Sequence, residues 1–157
     1  MKPIILMILD GWGIGKEEPT NAVYVANTPF LKSIFNIYSH CKLSTSGEDV
    51  GLPSGQMGNS EVGHMNIGAG RIVYQDLTRI SKEIREKTFF ENKVLVKAFE
   101  TAKKEKSKVH LIGLLSDGGV HSHIEHLKAL LEMAKMKGVQ DVIIHALMDG
   151  RDTPPDS

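Results

Sequence analysis

Cysteine is almost absent from the sequence, and its scarcity excludes one class of protein. Cys41 is the single cysteine among 157 residues, so no disulfide can form within the chain. Small secreted domains that depend on disulfides for stability are therefore excluded. We expect a reducing compartment and predict a cytoplasmic protein.

Neither sign of charge is in excess. Lys and Arg together number 19, as do Asp and Glu, which leaves a formal net charge of zero. Without a net positive field, the chain has no general attraction for nucleic acid or for an anionic membrane. We therefore predict neither of these partners, and only a local basic pocket for a phosphate ester remains open.

Long hydrophobic runs are also missing. The amino-terminal run Ile4–Leu9 has six residues and ends at Asp10, which is too short for a signal-peptide core or a membrane span. A chain with 41% hydrophobic and 24% charged residues is typical of a soluble globular protein that can bury a core. We predict that residues 4–9 form a buried parallel strand.

The chain changes character near residue 76. Residues 44–70 are rich in glycine and predict a long functional loop, while Pro29 suits the first turn of a short helix over 28–38. From Asp76 onward the apolar pattern predicts a helix that begins at Asp76 and then four further elements. They are a helix after Asn92, a strand at 109–115, a helix at 122–137 and a strand at 142–148.

The last three elements predict a βαβ unit and therefore an α/β fold. The strands 109–115 and 142–148 should be parallel neighbours, since a helix connects them. Their carboxyl ends then share one edge of the sheet, where ligands bind in open α/β folds.

Two oxygen-bearing residues stand out before residue 76. Asp10 follows the first apolar run, where a carboxylate either holds a metal ion or closes an Asx turn; the glycines after it favour the metal. Ser60 lies between Gly58 and Gly63, and glycines let backbone N–H groups approach a phosphate. The surrounding residues match neither a Gly-x-Ser-x-Gly elbow nor a P-loop. Ser60 is then either a metal-activated nucleophile or a helix N-cap.

Three histidines near the expected sheet edge first suggest a metal cluster. His121 is the best placed of them, because it lies in the glycine-bearing loop after the strand 109–115. His123 follows it closely, and His126 falls on a helix flank, where a histidine is usually structural.

An arginine and an aspartate occupy the facing loop. Arg151 can bind a carboxylate or a phosphate in a bidentate manner. Asp152 can accept a proton from a substrate hydroxyl. The alternative is an Arg–Asp pair that only stiffens a proline-rich turn.

Four motifs follow one another along the chain, and together they resemble cofactor-independent phosphoglycerate mutase. They are Leu9–Gly13 (LDGWG), Met57–His64 (MGNSEVGH), Leu115–His123 (LSDGGVHSH) and Asp149–Pro155 (DGRDTPP). The resemblance runs from Met1 to Ser157 and implies a member of the alkaline phosphatase superfamily.

The resemblance implies an α/β fold in two parts. Residues 1–75 are then the first segment of a partial alkaline-phosphatase-like domain that carries the metals and the nucleophile. Residues 76–157 are the incomplete start of an inserted α/β transferase domain, which binds the substrate and contains the parallel βαβ unit.

The resemblance also assigns roles to the candidate residues. It implies that Ser60 is the catalytic nucleophile and that Asp10 and Ser60 are metal ligands. It implies that His121, Arg151 and Asp152 bind substrate, with Asp152 also the catalytic acid and base. His121 is then a substrate contact and not a metal ligand, which replaces the idea of a histidine cluster.

The implied reaction interconverts 3-phosphoglycerate and 2-phosphoglycerate in glycolysis and gluconeogenesis. Ser60 takes the phosphoryl group from one hydroxyl of an enclosed glycerate and returns it to the other. Two divalent metal ions, typically Mn²⁺, are the implied cofactors, 2,3-bisphosphoglycerate is not used, and the full-length enzyme is expected to be a monomer.

Members of this family are longer and carry further Asp and His ligands, arginines and a lysine beyond the matching segment. We therefore expect the isolated chain to bind metal poorly. We also expect residues 4–9 to lack sheet partners and the chain alone to have no mutase activity.

Three alternatives compete with this interpretation. Another phosphomutase or phosphatase of the superfamily is disfavoured by the His121 loop and by the turn that contains Arg151. A non-catalytic α/β module for nucleotides or partners needs a Gly-x-Gly-x-x-Gly turn, which Gly118-Gly119 does not supply. A truncated product without activity is compatible with the family.

Overall fold

The computed structural model describes residues 2–156. Contacts within the chain divide it into two units, Met1–Ser44 and Thr45–Ser157, and each is considered by itself. The expected domains, 1–75 and 76–157, follow from the family resemblance and remain a prediction.

The first unit contains two short helices, α1 (Ala22–Val25) and α2 (Pro29–Ile37). The side-chain oxygen of Asn21 caps α1 by accepting the Val23 N–H at 3.1 Å. Pro29 occupies the first helical position of α2, where its missing N–H removes no intrahelical hydrogen bond. The predicted helix over 28–38 is confirmed.

The predicted strand at residues 4–9 is wrong for this chain. These residues have no regular secondary structure, and their exposed fractions run from 42% at Ile8 to 95% at Ile4. A strand needs a neighbour to accept and donate its backbone hydrogen bonds. The described part of this unit contains helices and turns but no second strand, so the apolar run has no ladder to join.

The second unit begins with a 3₁₀ helix, Gly47–Val50, followed by α3 (Ser60–Ala69) and α4 (Asp76–Arg85). The prediction of a continuous loop over 44–70 is therefore wrong at α3. Asn59 caps that helix by accepting the Val62 N–H at 3.0 Å, and Gly70 ends it with a φ of 64°. Val62 is the one buried residue of α3, so the apolar spacing that usually indicates a helix is absent.

The remaining elements follow the predicted order. They are a 3₁₀ helix at Thr88–Glu91, α5 (Lys93–Lys104), β1 (Val109–Leu115), α6 (Ile124–Lys137) and β2 (Val142–Met148). Asn92 caps α5 by accepting the N–H groups of Val94 and Leu95. The predicted helix at 122–137 begins two residues later, at Ile124, because His123 is its N-cap.

β1 and β2 form a parallel two-stranded sheet, which confirms the predicted βαβ unit. Their register runs from Val109 opposite Val142 to Leu115 opposite Met148. His110 and His145, which lie on one face of the sheet, are joined across the strands by a 2.8 Å contact between Nδ1 and Nε2.

The main hydrophobic core lies where α5 and α6 pack beside the segment that joins α4 to α5. Its buried members are Phe89, Phe90, Phe99, Ala129, Met133 and Ala134. Val109 and Val142, the first residues of the two strands, pack against it. The core therefore anchors the amino ends of the strands, and the opposite ends lead into the loops that carry the sequence motifs. No helix within residues 2–156 is long and apolar enough to cross a membrane.

Candidate functional site

The loops after β1 and β2 meet at the carboxyl edge of the sheet, as predicted. The hydroxyl of Ser116, the first residue after β1, donates a 2.6 Å hydrogen bond to Oδ2 of Asp149, the first residue after β2. Ser116 is 6% exposed, so the donor of this bond is buried. The same hydroxyl oxygen accepts the N–H of Gly118 at 3.0 Å.

The second oxygen of Asp149 organises the loop that follows it. Oδ1 accepts the backbone N–H groups of Gly150, Arg151 and Asp152 at 2.7, 2.9 and 3.1 Å. These hydrogen bonds hold the pKa of Asp149 well below its ordinary value. The bond from the Ser116 hydroxyl contributes most, and those from the backbone N–H groups of Arg151, Asp152 and Gly150 contribute less. The sequence interpretation assigned no role to Asp149 or Ser116. An Asp-Gly pair directly after a strand is the signal of an Asx turn that would have indicated Asp149.

His121 and Asp152 are brought together by the two loops. The Nδ1–H of His121 donates to Oδ2 of Asp152 over 2.6 Å. The Asp152 side chain is 13% exposed and that of His121 is 67% exposed. A half-enclosed carboxylate that binds an accessible imidazole can hold a proton or exchange one with a bound hydroxyl. Their predicted roles remain predictions, but they share one site.

Gly118 allows the loops to approach this closely. A Cβ atom on Gly118 would lie 3.1 Å from Cβ of Asp152 and 3.2 Å from both the Asp152 carbonyl oxygen and Ser116 Oγ. Arg151 is exposed, and Asp152 pairs with His121 instead of with its neighbour Arg151. The alternative of an Arg–Asp pair that stiffens the turn therefore does not describe the arrangement, and substrate binding by Arg151 remains a prediction.

The other two histidines have separate partners. His123 caps α6 by accepting the Glu125 N–H at 3.2 Å. His126 Nε2 lies 2.8 Å from the Ser81 hydroxyl. The pKa of His126 is lowered mainly by its burial and further by the charge of His123. The three histidines therefore do not converge on one metal position among the described residues, and the role of His121 as a substrate contact remains a prediction.

Ser60 is the first residue of α3 and is exposed. Asn59 is the N-cap, so the alternative that Ser60 serves as the cap is wrong. His64 Nδ1 lies 3.1 Å from the Ser60 hydroxyl and 2.8 Å from the Ser60 carbonyl oxygen. The first turn of a helix presents N–H groups and a partial positive charge, an environment that favours a phosphoryl group.

The described residues do not by themselves fit a divalent metal. Asp10 lies in an exposed turn of the first unit, closed by the Trp12 N–H and the Leu9 carbonyl at 2.9 Å, whereas Ser60 belongs to the second unit. Across residues 2–156 no three His, Cys, Asp or Glu side chains converge on a point that could hold a metal ion. Two oxygen donors fall short of the four or more ligands that such ions take.

The loop after β1 also lines a cavity of about 640 Å³. It is lined in part by Glu48, Gln75, Asp117 and Thr78, whose buried hydroxyl has no hydrogen-bond partner among the described residues. In the part of the chain that the structure describes, no Lys or Arg lines this cavity, and neither do the predicted site residues. Among the described residues, the cavity therefore offers a phosphate ester no Lys or Arg side chain to bind.

Comparison with known proteins decides the family. A family model described as the BPG-independent PGAM N-terminus matches residues 80–157. The 2,3-bisphosphoglycerate-independent phosphoglycerate mutase of Clostridium perfringens strain SM101 is 64% identical over 156 residues, which is 99% of this chain and 30% of that protein. The chain belongs to the cofactor-independent phosphoglycerate mutase family.

Other members of this mutase family extend the comparison. The protein of the same name from Methanococcoides burtonii is 58% identical over 98% of this chain and 30% of its own length. A crystal structure of Leishmania mexicana phosphoglycerate mutase at low cobalt concentration has 41% identity and a TM-score of 0.55, over 94% of this chain and 27% of that chain. The chain thus spans about 30% of the length of the curated relatives that it matches.

Proposed function

We propose that this chain supplies the nucleophile and part of the substrate site of a metal-dependent phosphoglycerate mutase, an isomerase of glycolysis and gluconeogenesis. The substrates are 3-phosphoglycerate and 2-phosphoglycerate. The observation that carries the proposal is the 2.6 Å contact between His121 and Asp152, because it joins two of the four motifs in one site. The 64% identity to a mutase of the same family supports it.

The proposed reaction consists of two phosphoryl transfers through Ser60. Ser60 enters the cycle as an alkoxide, its proton having gone to solvent, and Asp152 enters protonated. The Ser60 oxygen bonds to the phosphorus of the substrate as the bond to the glycerate oxygen breaks, and that oxygen leaves as a hydroxyl with the proton of Asp152. The other glycerate hydroxyl then gives its proton to Asp152 and takes the phosphoryl group from Ser60. His121 holds Asp152 in place and contacts the substrate, and Arg151 binds an anionic group of the substrate.

The cofactors belong to the same proposal. The family resemblance supports two divalent ions, Mn²⁺ above all, with Asp10 and Ser60 among their ligands and with no use of 2,3-bisphosphoglycerate. When bound, such ions stabilise negative charge on the transferred phosphoryl group. We further propose a cytoplasmic monomer with an alkaline-phosphatase-like domain at 1–75 and the start of a transferase domain at 76–157.

A chimeric enzyme tests this proposal. The matching segment of the Clostridium perfringens relative is replaced by this chain, and formation of 2-phosphoglycerate from 3-phosphoglycerate is followed with enolase as the coupling enzyme. We expect the chimera to be active and the 157-residue chain alone to be inactive. Ser60→Ala should abolish turnover and the phosphoryl adduct detected by mass spectrometry, whereas the control Ser54→Ala in the same glycine-rich segment should retain both. Turnover by the Ser60→Ala chimera would refute the assignment of the nucleophile.

A further inference from the structure

Both oxygens of the Asp149 carboxylate accept hydrogen bonds from the chain itself. Oδ2 accepts the Ser116 hydroxyl at 2.6 Å, and Oδ1 accepts three consecutive backbone N–H groups within 3.1 Å. A carboxylate with four donors has little capacity left for a ligand or for proton transfer. The four hydrogen bonds of Asp149 therefore hold the two loops of the site.

The same four hydrogen bonds determine where Asp152 and His121 meet. One of the donors to Asp149 is the N–H of Asp152 itself, at 3.1 Å, so the backbone that carries the Asp152 side chain is fixed. The Ser116 hydroxyl joins Asp149 to the opposite loop and, by accepting the Gly118 N–H at 3.0 Å, orients the glycine that packs against Asp152. His121 lies three residues beyond Gly118 in that loop.

We infer that Ser116 and Asp149 are positioning residues that align the Asp152 carboxylate with His121 for proton exchange with the glycerate hydroxyls. The inference rests on the proposed function. Besides the His121–Asp152 pair itself, the loops are joined by the hydrogen bond that Ser116, a residue 6% exposed, donates to Asp149. Loss of that donor leaves Oδ2 of Asp149 without its buried partner. Without it, the two loops lose the contact that sets the distance between the imidazole and the carboxylate.

Two substitutions remove or weaken this link by different routes. Ser116→Ala deletes the donor and leaves the three backbone N–H groups on Asp149. Asp149→Asn keeps an oxygen for those N–H groups but replaces the other oxygen with an NH₂ group, which cannot accept the Ser116 hydroxyl and can only donate to its oxygen, a weaker bond because the carboxylate charge is gone. Ser116→Thr retains the hydroxyl and is the conservative rescue. Ser122→Ala is the matched control, because Ser122 lies in the same loop but donates to the Leu114 carbonyl.

The first measurement uses the 157-residue chain and requires no activity. Nitrogen-15 NMR of the imidazole ring reports which nitrogen of His121 carries the proton. We expect the Nδ1-protonated form in the parent, in Ser116→Thr and in Ser122→Ala, and its loss in Ser116→Ala and Asp149→Asn. A merely structural role would lower the thermal midpoint of these variants without changing the protonated nitrogen in the folded state.

The second measurement places the same variants in the chimeric mutase. We expect kcat to fall on the order of 100-fold in Ser116→Ala and Asp149→Asn, the scale of a misplacement of about 1 Å. KM should change little, and Ser116→Thr and Ser122→Ala should stay near the parent. A parent-like His121 signal, or a parent-like kcat, in both Ser116→Ala and Asp149→Asn would overturn the inference. An inactive parent chimera would refute the proposed function, whereas the NMR result would still decide whether the two residues position His121.

Discussion

Gly58 and Gly63 lie in the same motif, yet the structure predicts opposite results when each is changed to alanine. A Cβ on Gly58 would collide with the carbonyl oxygen of Thr45 and lie 2.9 Å from its carbonyl carbon. A Cβ on Gly63 meets no non-local atom of the described residues within 4 Å, and Gly63 lies inside α3. Neither glycine has a positive φ, so backbone strain does not separate the two.

The magnitudes follow from these surroundings. Overpacking costs about 1–3 kcal/mol, and at Gly58 the obstructing atoms belong to the backbone, which cannot rotate away as a side chain can. The reduced entropy of the unfolded chain offsets about 0.4–1 kcal/mol of that cost. Gly63→Ala gains about 0.8–1 kcal/mol, because alanine favours a helix interior more than glycine does. The two variants should therefore differ by about 1–3.5 kcal/mol.

Thermal unfolding followed by circular dichroism measures this difference. For a unit of roughly 100 residues, 1 kcal/mol shifts the midpoint by about 4 °C, so the Gly63→Ala midpoint should exceed that of Gly58→Ala by roughly 4–14 °C. The unchanged chain should fall between them. Equal midpoints, or a Gly58→Ala variant more stable than Gly63→Ala, would refute the packing argument for this motif.

Three further perturbations test the core, the site and a helix end. Met133→Ala removes a side chain that is 1% exposed and should lower the free energy of unfolding in urea by about 2–5 kcal/mol; a loss below about 1 kcal/mol contradicts the packing of this core. Because folding lowers the pKa of Asp149, its ionised carboxylate stabilises the fold at pH values above about 3.9, the pKa of an aspartate in an unfolded chain. This stabilisation is lost as the pH falls below that value. Asp149→Asn should therefore weaken the acid dependence of stability between about pH 4 and 2, and an unchanged slope argues against the hydrogen bonds at Asp149. Asn92→Ala removes the cap of α5 and should cost about 1 kcal/mol in the same urea titration, and an unchanged urea midpoint contradicts the capping role of Asn92.

The elements that the sequence predicted correctly have strong local signals. α5 was predicted because its apolar residues recur at helical spacing, and the two strands because each is an apolar run of strand length. Asn92 and Gly138 mark helix ends with caps that work through neighbouring backbone groups. α3 lacks such a face, since Val62 is its one buried residue, and its local signals are the cap at Asn59 and the terminating Gly70. Residues 4–9 have the composition of a strand, but composition cannot supply the neighbouring strand on which a ladder depends.

The motifs of the sequence by themselves determined the family, the order of the βαβ unit and the edge at which His121, Arg151 and Asp152 lie. Those conclusions depend on residue types and spacing, which are local properties of the chain. Only the tertiary structure showed that Asp152 pairs with His121, and that Ser116 and Asp149 join the two loops over 2.6 Å. These contacts connect residues more than 30 positions apart. The partners meet because the register of β1 and β2 aligns the two loops and because the loops approach closely at Gly118. Hydrogen-bond geometry of this kind is fixed by the packing of the whole unit and has no counterpart in sequence spacing.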